Sequence, residues 1–238
     1  LWSAELSKLA ANTFLAQRVS SINALSALCE RTGAEVSEVA AVVGTDSRIG
    51  PKFLQASVGF GGSCFQKDLL SLVYLCEHHG LPEVAAYWQG VIDINDWQKR
   101  RFAEAIRQAA VNGRVAILGL AFKKDTNDFR ESAALTVCRA LLRAGLDIVA
   151  YDPRVDAAQF AAELGHPAKF SCAPSVRQAL LGAGAAAVLT EWDEFRQVPW
   201  AECELAAGAT VLDGRAVVDR AAVQQAGYRL QTIGSARR

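Results

Sequence analysis

The sequence contains no methionine, has only three histidines in 238 residues, and places none of its six cysteines in a CxxC pair. Each shortage excludes something. With no Met at position 1 or anywhere else, and a helix entered almost at once at Trp2-Ser-Ala-Glu-Leu6, the chain is expected to be a piece of a longer polypeptide whose N-terminal part is missing. His78, His79 and His166 offer no metal constellation, so no metal is expected. Cys29, Cys64, Cys76, Cys138, Cys172 and Cys203 are too scattered for a zinc site or a disulfide framework, which favours a reducing, cytoplasmic compartment. No run approaches the 18 or so uncharged apolar residues of a membrane span, so no membrane partner is expected. Lys plus Arg and Asp plus Glu both number 25, so no broad field points to nucleic acid or to an anionic membrane. With 51% of residues apolar and 21% charged, the chain is globular.

A dinucleotide fingerprint is also missing. Gly182-x-Gly184-x-x-Ala187 fits GxGxxA as a string but lies between a helix and a strand. That is the reverse of the order that aims amide groups at a pyrophosphate. Gly59-x-Gly61-x-x-Cys64 falls one glycine short and has no convincing buried strand before it.

What is present falls into two halves. Leu6, Leu9, Thr13, Ala16, Val19, Ile22 and Leu25 follow the helical period through residues 4–31, with no Pro or Gly before Gly33. A helix of that length serves as a domain spine or a subunit interface. A short helix over 36–43, one after Asp68 and a long one over 82–110 complete an all-helical domain, residues 1–110. From Gly113 the pattern changes to short apolar strands at 115–119, 147–152, 185–190, 210–213 and 229–232. Helices near 131–144, 156–164, 174–182 and 219–226 lie between them. That alternation predicts an α/β fold for residues 111–238, with a Rossmann-like parallel sheet. Ligands bind at the carboxyl ends of such strands, where Phe122–Arg130 and Gly214-Arg215 fall.

The chemistry concentrates in Ser57-Val-Gly-Phe-Gly-Gly-Ser-Cys-Phe-Gln-Lys-Asp68. Three glycines in four positions let the backbone approach a ligand closely. Cys64 follows, then Lys67, then Asp68, which as a favoured N-cap is expected to open the apolar run Leu69–Cys76 as a helix. A thiol in a pliant loop beside a cation and a carboxylate has the makings of an activated nucleophile. The same residues also fit a tight turn with a small buried Cys. Lys8 and Asn12 stand four apart and share one helix face, read either as site residues or as a solvated stripe.

Gly59-Phe-Gly-Gly-Ser-Cys-Phe-Gln-Lys-Asp68 resembles the catalytic-cysteine segment of the nucleotide-sugar 6-dehydrogenases. Glu5-Leu-Ser-Lys-Leu-Ala-Ala-Asn12, Ala121-Phe-Lys-Lys-Asp-Thr126 with Arg130-Glu-Ser132, and Asp213-Gly-Arg215 resemble further segments of that family, in the family's order. The resemblance implies a central helical domain with a dimerisation role, then a domain that binds the nucleotide sugar. The family's NAD-binding domain is absent from this chain. It implies oxidation of a primary alcohol to a carboxylate by two hydride transfers to NAD, through a thiohemiacetal and a thioester. Cys64 matches the nucleophile, Lys8 a lysine that stabilises the oxyanion, and Asp68 with Asn12 the pair that positions or deprotonates water. Phe53, Ser57, Gly61 and Phe65 match loop positions lining the nucleotide sugar. Phe122, Lys123 and Arg215 match contacts to uridine and diphosphate, and Arg48 matches an arginine reaching the sugar of a neighbouring subunit. Lys67 and Arg130 match NAD contacts. The Phe-Gln-Lys sequence after Cys64 favours UDP-glucose as substrate and UDP-glucuronate as product. GDP-mannose or a UDP-N-acetylhexosamine is the nearest alternative, and a binding or oligomerisation module without redox activity is another. Gln55 stands where many relatives carry Lys, which touches one sugar contact and leaves the reaction alone. A homodimer or higher homo-oligomer is expected.

Overall fold

The computed structural model describes residues 2–236. It forms two compact units, Leu1–Gln98 with Gly234–Arg238, and Lys99–Ile233.

The first unit holds α1 (Trp2–Thr32), α2 (Val36–Gly44), α3 (Phe65–His78) and the first part of α4 (Pro82–Ala109). At 31 residues α1 is about 46 Å long. Its buried positions are Thr13, Ala16, Ser20, Ile22, Asn23, Ser26 and Cys29, most of them three or four residues apart. These side chains are mostly small, and they let a neighbouring backbone come close: Ser20 Oγ donates to the Val91 carbonyl at 2.8 Å, tying α1 to α4. Periodicity puts Leu6 and Leu25 on the buried face, yet both are exposed, as are Phe14 and Leu28. The face that the period picks out is buried at Thr13, Ala16 and Ile22 and half-buried at Leu9 and Val19; only its outer members Leu6 and Leu25 stay exposed. Ala16, Phe60, Leu69, Val73, Cys76, Ala85, Val91 and Ile92 form the core, with Phe65 and Trp88 packed against it. Gly234 belongs to this unit, where its carbonyl accepts from Val36 N and its N–H donates to Glu30.

A second correction concerns α3. It begins at Phe65, with Cys64 in the N-cap position and Asp68 in its first turn. Asp68 N already donates to the Cys64 carbonyl at 2.9 Å, an i to i−4 helical bond, so Asp68 is not a cap.

The second unit is built on six parallel strands, β1 (Arg114–Leu118), β2 (Asp147–Tyr151), β3 (Phe170–Cys172), β4 (Ala185–Val188), β5 (Thr210–Asp213) and β6 (Arg229–Thr232). Their order is β3-β2-β1-β4-β5-β6, the doubly wound arrangement whose switch point lies between β1 and β4. The helices are α5 (Ala133–Arg143), α6 (Ala157–Glu163), α7 (Val176–Leu180) and α8 (Arg220–Gln225). Each begins with a Ser or Asp whose side chain accepts from the first turn: Ser132, Asp156, Ser175 and Asp219. The strand that periodicity does not reveal is β3, an edge strand of three residues, too short to show alternation. The GxGxxA string lies between α7 and β4, as its surroundings implied.

Gly119 ends β1 at φ +95°, where an added Cβ would stand 2.4 Å from the Thr190 side chain. Gly145, at φ +82°, faces open space. Gly119→Ala is therefore expected to cost about 3 kcal/mol or more, from overpacking and backbone strain together. Gly145→Ala should cost only about 1 kcal/mol, from its left-handed backbone. Urea unfolding of the two variants compares them directly.

Candidate active site

In the helical unit the residues singled out in sequence converge on one carboxylate. Asp68 is 5% exposed, and its Oδ2 accepts from Asn12 Nδ2 at 2.6 Å and faces Lys8 Nζ at 3.6 Å. The four-residue spacing on α1 puts Lys8 and Asn12 on one face, and α3 brings the acid to them. Lys8 remains 72% exposed at its side chain, so this ion pair is weak and the lysine can still turn. Cys64 stands one turn before Asp68 on the same helix face. It is exposed, with Ser63 Oγ 3.9 Å from its sulfur. The buried-Cys reading of this stretch does not hold.

The loop that delivers Cys64 runs from the turn at Phe53. Phe53 is held at φ +62°, a strained conformation for an aromatic residue and one that gathers at functional sites. Its ring lies 6.5 Å from that of Phe65, which meets Phe60 edge-on at 5.7 Å. Leu54, Ala56 and Val58 alternate inward, leaving Gln55 exposed. Ser57 is buried: its N–H donates to Asn23 Oδ1, its carbonyl accepts from Gln98 Nε2, and its Oγ accepts from Gly59 N. Phe60 N and O are both paired with the Asn95 side chain. Gly59 and Gly62 take positive φ, 125° and 84°, and Gly61 lies between them, half-buried. Lys67 is exposed in the first turn of α3.

Arg48 lies on a separate turn of this unit, with its guanidinium folded onto Asp46 through Nε at 3.0 Å and Nη2 at 2.6 Å. That pairing holds the Asp46 carboxyl below its ordinary range and raises Arg48. Arg18 fixes the turn by donating to the carbonyls of Ile49 and Gly50.

In the sheet unit, Phe122, Lys123 and Arg215 come together at the carboxyl ends of β1, β4 and β5. Arg215 donates to Leu189 O at 2.8 Å and Phe122 O at 3.1 Å, with Glu191 3.3 Å away. Burial pulls its pKa down, and Glu191 and Asp213 oppose that. Lys123 Nζ lies 5.4 Å from the centroid of the Phe122 ring, in the geometry of a cation–π contact. Arg130 folds back onto Asp128 just as Arg48 does onto Asp46.

Sequence reasoning missed Asp152, which follows β2. Its carboxylate accepts five N–H groups: Leu120, Ala121, Arg154, Val155 and the Trp192 indole. In dinucleotide folds an acid here takes a ribose. Asp152 instead secures the loop leading to Phe122, and β1 continues into Gly119–Arg130 rather than a glycine-rich helix start. Asn23, Asn95 and Gln98 were missed too. Their one signal is an amide where the helical period calls for an apolar residue.

Residues 2–97 match the model of the UDP-glucose/GDP-mannose dehydrogenase family, central domain. Residues 116–220 match that of the same family's UDP binding domain. The chain belongs to this family. It is 53% identical over 249 residues to UDP-glucose 6-dehydrogenase of Drosophila melanogaster, covering 98% of this chain and 52% of that protein. To UDP-glucose 6-dehydrogenase of Caenorhabditis elegans it is 51% identical, covering 98% and 51%. A solved UDP-glucose dehydrogenase from Pyrobaculum islandicum superposes with a TM-score of 0.85 at 31% identity, covering 98% of this chain and 51% of that one. The chain thus spans about half the length of the relatives it matches.

Among the described residues no group of three or more His, Cys, Asp or Glu could hold a metal, and no helix is long and apolar enough to cross a membrane. The cysteines differ sharply in access. Cys29, Cys76, Cys138 and Cys203 are buried, and burial pushes the half-buried Cys172 thiol up to about 11. Iodoacetamide at neutral pH is expected to modify Cys64 at least about tenfold faster than any other cysteine. Peptide mapping by mass spectrometry after partial labelling checks this.

Proposed function

We propose that this chain carries the catalytic and UDP-sugar-binding parts of an NAD-dependent UDP-glucose 6-dehydrogenase that makes UDP-glucuronate. The observation that carries the reading is an exposed thiol one helical turn from a buried carboxylate that already holds an amide and an ammonium. A simple alcohol-to-aldehyde enzyme has no use for such a set.

NAD, when bound, would supply the hydride acceptor for the two oxidations at C6, and Lys67 and Arg130 are the residues of this chain that would hold it. Both are exposed cations suited to a pyrophosphate, Arg130 by exchanging its Asp128 partner. The Cys64 thiolate adds to the C6 aldehyde, whose oxygen becomes the thiohemiacetal oxyanion, and loss of the C6 hydride from that oxyanion leaves the thioester. Lys8 turns from Asp68 to the developing oxyanion, where its positive charge stabilises negative charge that appears only in the transition state. Asp68 takes a proton from water oriented by Asn12. The resulting hydroxide attacks the thioester, expelling the Cys64 thiolate and freeing the carboxylate. Phe53, Ser57, Gly61 and Phe65 form the sugar-side wall. Phe122, Lys123 and Arg215 take the uridine and diphosphate. UDP-glucose is the substrate assigned, on the Phe-Gln-Lys sequence and the level of similarity to the relatives above.

Asp68→Asn keeps the thiol but removes the general base, so hydrolysis should slow by about 10²-fold or more. The full-length variant should then accumulate an acyl sugar nucleotide on Cys64, seen by intact mass after mixing with UDP-glucose and NAD. Wild type should release two NADH per UDP-glucose. One NADH with free aldehyde would sink the mechanism, as would turnover by Cys64→Ser.

We also propose that α1 is a subunit interface, because Phe14, Leu25 and Leu28 leave one of its faces apolar and exposed. Arg48 would then complete the neighbour's sugar site. Sedimentation of the full-length protein should give a dimer or a multiple of one, and Arg48→Ala should raise KM for UDP-glucose about tenfold. A fully active monomer would refute this.

A further inference from the structure

We infer that Asn95 is a positioning residue for Cys64: its buried carboxamide pairs with both backbone groups of Phe60 and so sets the course of the glycine loop that presents the thiol. The inference rests on the reading of Cys64 as the nucleophile.

The segment Ser57–Gly62 pairs with no strand. Side-chain amides from two helices take a strand's place. Asn23 on α1 accepts from Ser57 N at 2.8 Å, and Gln98 on α4 donates to Ser57 O at 2.7 Å. Asn95, one turn earlier on α4, accepts from Phe60 N at 2.8 Å and donates to Phe60 O at 3.2 Å. A carboxamide presents C=O and N–H side by side, as a peptide unit does, so it satisfies both groups as a neighbouring strand would. At 1% exposure Asn95 has no water to exchange with, and losing either bond strands a buried polar group.

Asn95 matters more than the other two amides because of where it holds the chain. Past Phe60 come Gly61, Gly62 and Ser63, and then Cys64, the N-cap of α3. Of the backbone groups held by these three amides, those of Phe60 lie nearest the thiol in sequence. The Phe60 ring lies in the core and meets Phe65, the first residue of α3, edge-on at 5.7 Å. Both ends of the glycine span are thus referred to Phe60, its backbone through Asn95 and its ring through Phe65. Glycines lose more conformational entropy on ordering than other residues, so such a span depends on firm ends.

Asn95→Asp keeps size and the acceptor for Phe60 N but sets a second carboxyl oxygen against Phe60 O. Ser20→Ala is the comparison, since it removes an equally buried bond, to Val91 O, away from the loop. In the full-length enzyme, Asn95→Asp should lower kcat at least about tenfold with KM for UDP-glucose within about twofold. Ser20→Ala should lower the melting temperature but leave kcat within about twofold. Equal loss of kcat in the two variants, or none in Asn95→Asp, overturns the proposal. Wild-type hydrogen exchange tests it without any variant. The Phe60 amide should exchange at least about 100-fold more slowly than those of Gly61 and Gly62, and comparable rates would also overturn it. Turnover by Cys64→Ser removes the nucleophile reading itself, and neither the exchange rates nor the comparison with Ser20→Ala produces that result.

Discussion

The hydrogen bond from Asn12 to Asp68 is the contact on which the chemistry proposed for the helical unit rests. It joins the first turn of α3 to the face of α1 that carries Lys8, at the point where the glycine loop becomes helix. A charge-assisted bond of this kind contributes about 2 kcal/mol, and a buried carboxylate without it would cost more than that. The ammonium of Lys8 is secondary. At 3.6 Å and largely in solvent it contributes at most about 1 kcal/mol. That ranking suits the proposed roles. The amide holds the acid permanently, and the lysine is loosely enough held to move to the oxyanion. The N-terminal end of α3 also favours a negative charge in its first turn.

A second device recurs at four places. Asp46-x-Arg48, Asp128-x-Arg130, Asp152-x-Arg154 and Asp213-x-Arg215 each have Oδ1 of the acid accepting from the arginine backbone N–H two residues on. Burial decides where each guanidinium goes. On the exposed turns it folds back onto the same carboxylate. Asp152 and Asp213 lie at strand ends and spend their remaining capacity on backbone N–H groups. Their arginines are sent elsewhere: Arg154 to the Trp192 ring and Arg215 to the carbonyls of Leu189 and Phe122. One local motif thus yields two kinds of cation. Arg215 is fixed and partly desolvated, suited to a permanent wall. Arg48 and Arg130 sit in solvent-screened pairs that a phosphate or sugar can displace at small cost.

The sequence made legible what is local. Helices and strands followed from period and turn residues, and the shared face of Lys8 and Asn12 followed from a spacing of four, while their roles came only from the family resemblance. The order of strands within the sheet, the short edge strand β3 and the exposure of Leu6 and Leu25 on α1 did not, because each is decided by a partner distant in the chain. Asp68 shows the boundary well. Its type pointed to a cap, yet the helix starts three residues earlier, because the bond from its own amide to Cys64 extends the first turn backwards. Nor does anything near Asn95 in sequence announce a partner 35 residues away. A polar residue at an apolar position is the trace such contacts leave, and it names no partner.

The nucleophilic role proposed for Cys64 places conflicting demands on this loop. A thiol that is to reach a sugar needs small residues around it, and Gly59, Gly61 and Gly62 supply them. Those same residues order poorly by themselves. Adding bulk inside the loop would stiffen it but would fill the approach. Stiffness comes instead from behind, through amides on α1 and α4 that bond the backbone and leave the loop's outer surface open. The strained Phe53 marks the other end of this arrangement, an aromatic held left-handed so that its ring lies against Phe65. Strain of about 1–3 kcal/mol persists only where the surroundings over-determine a residue. Two rigid helices and a ring-on-ring contact supply that here, so the exposed cysteine is presented by a surface whose freedom has been removed from the inside.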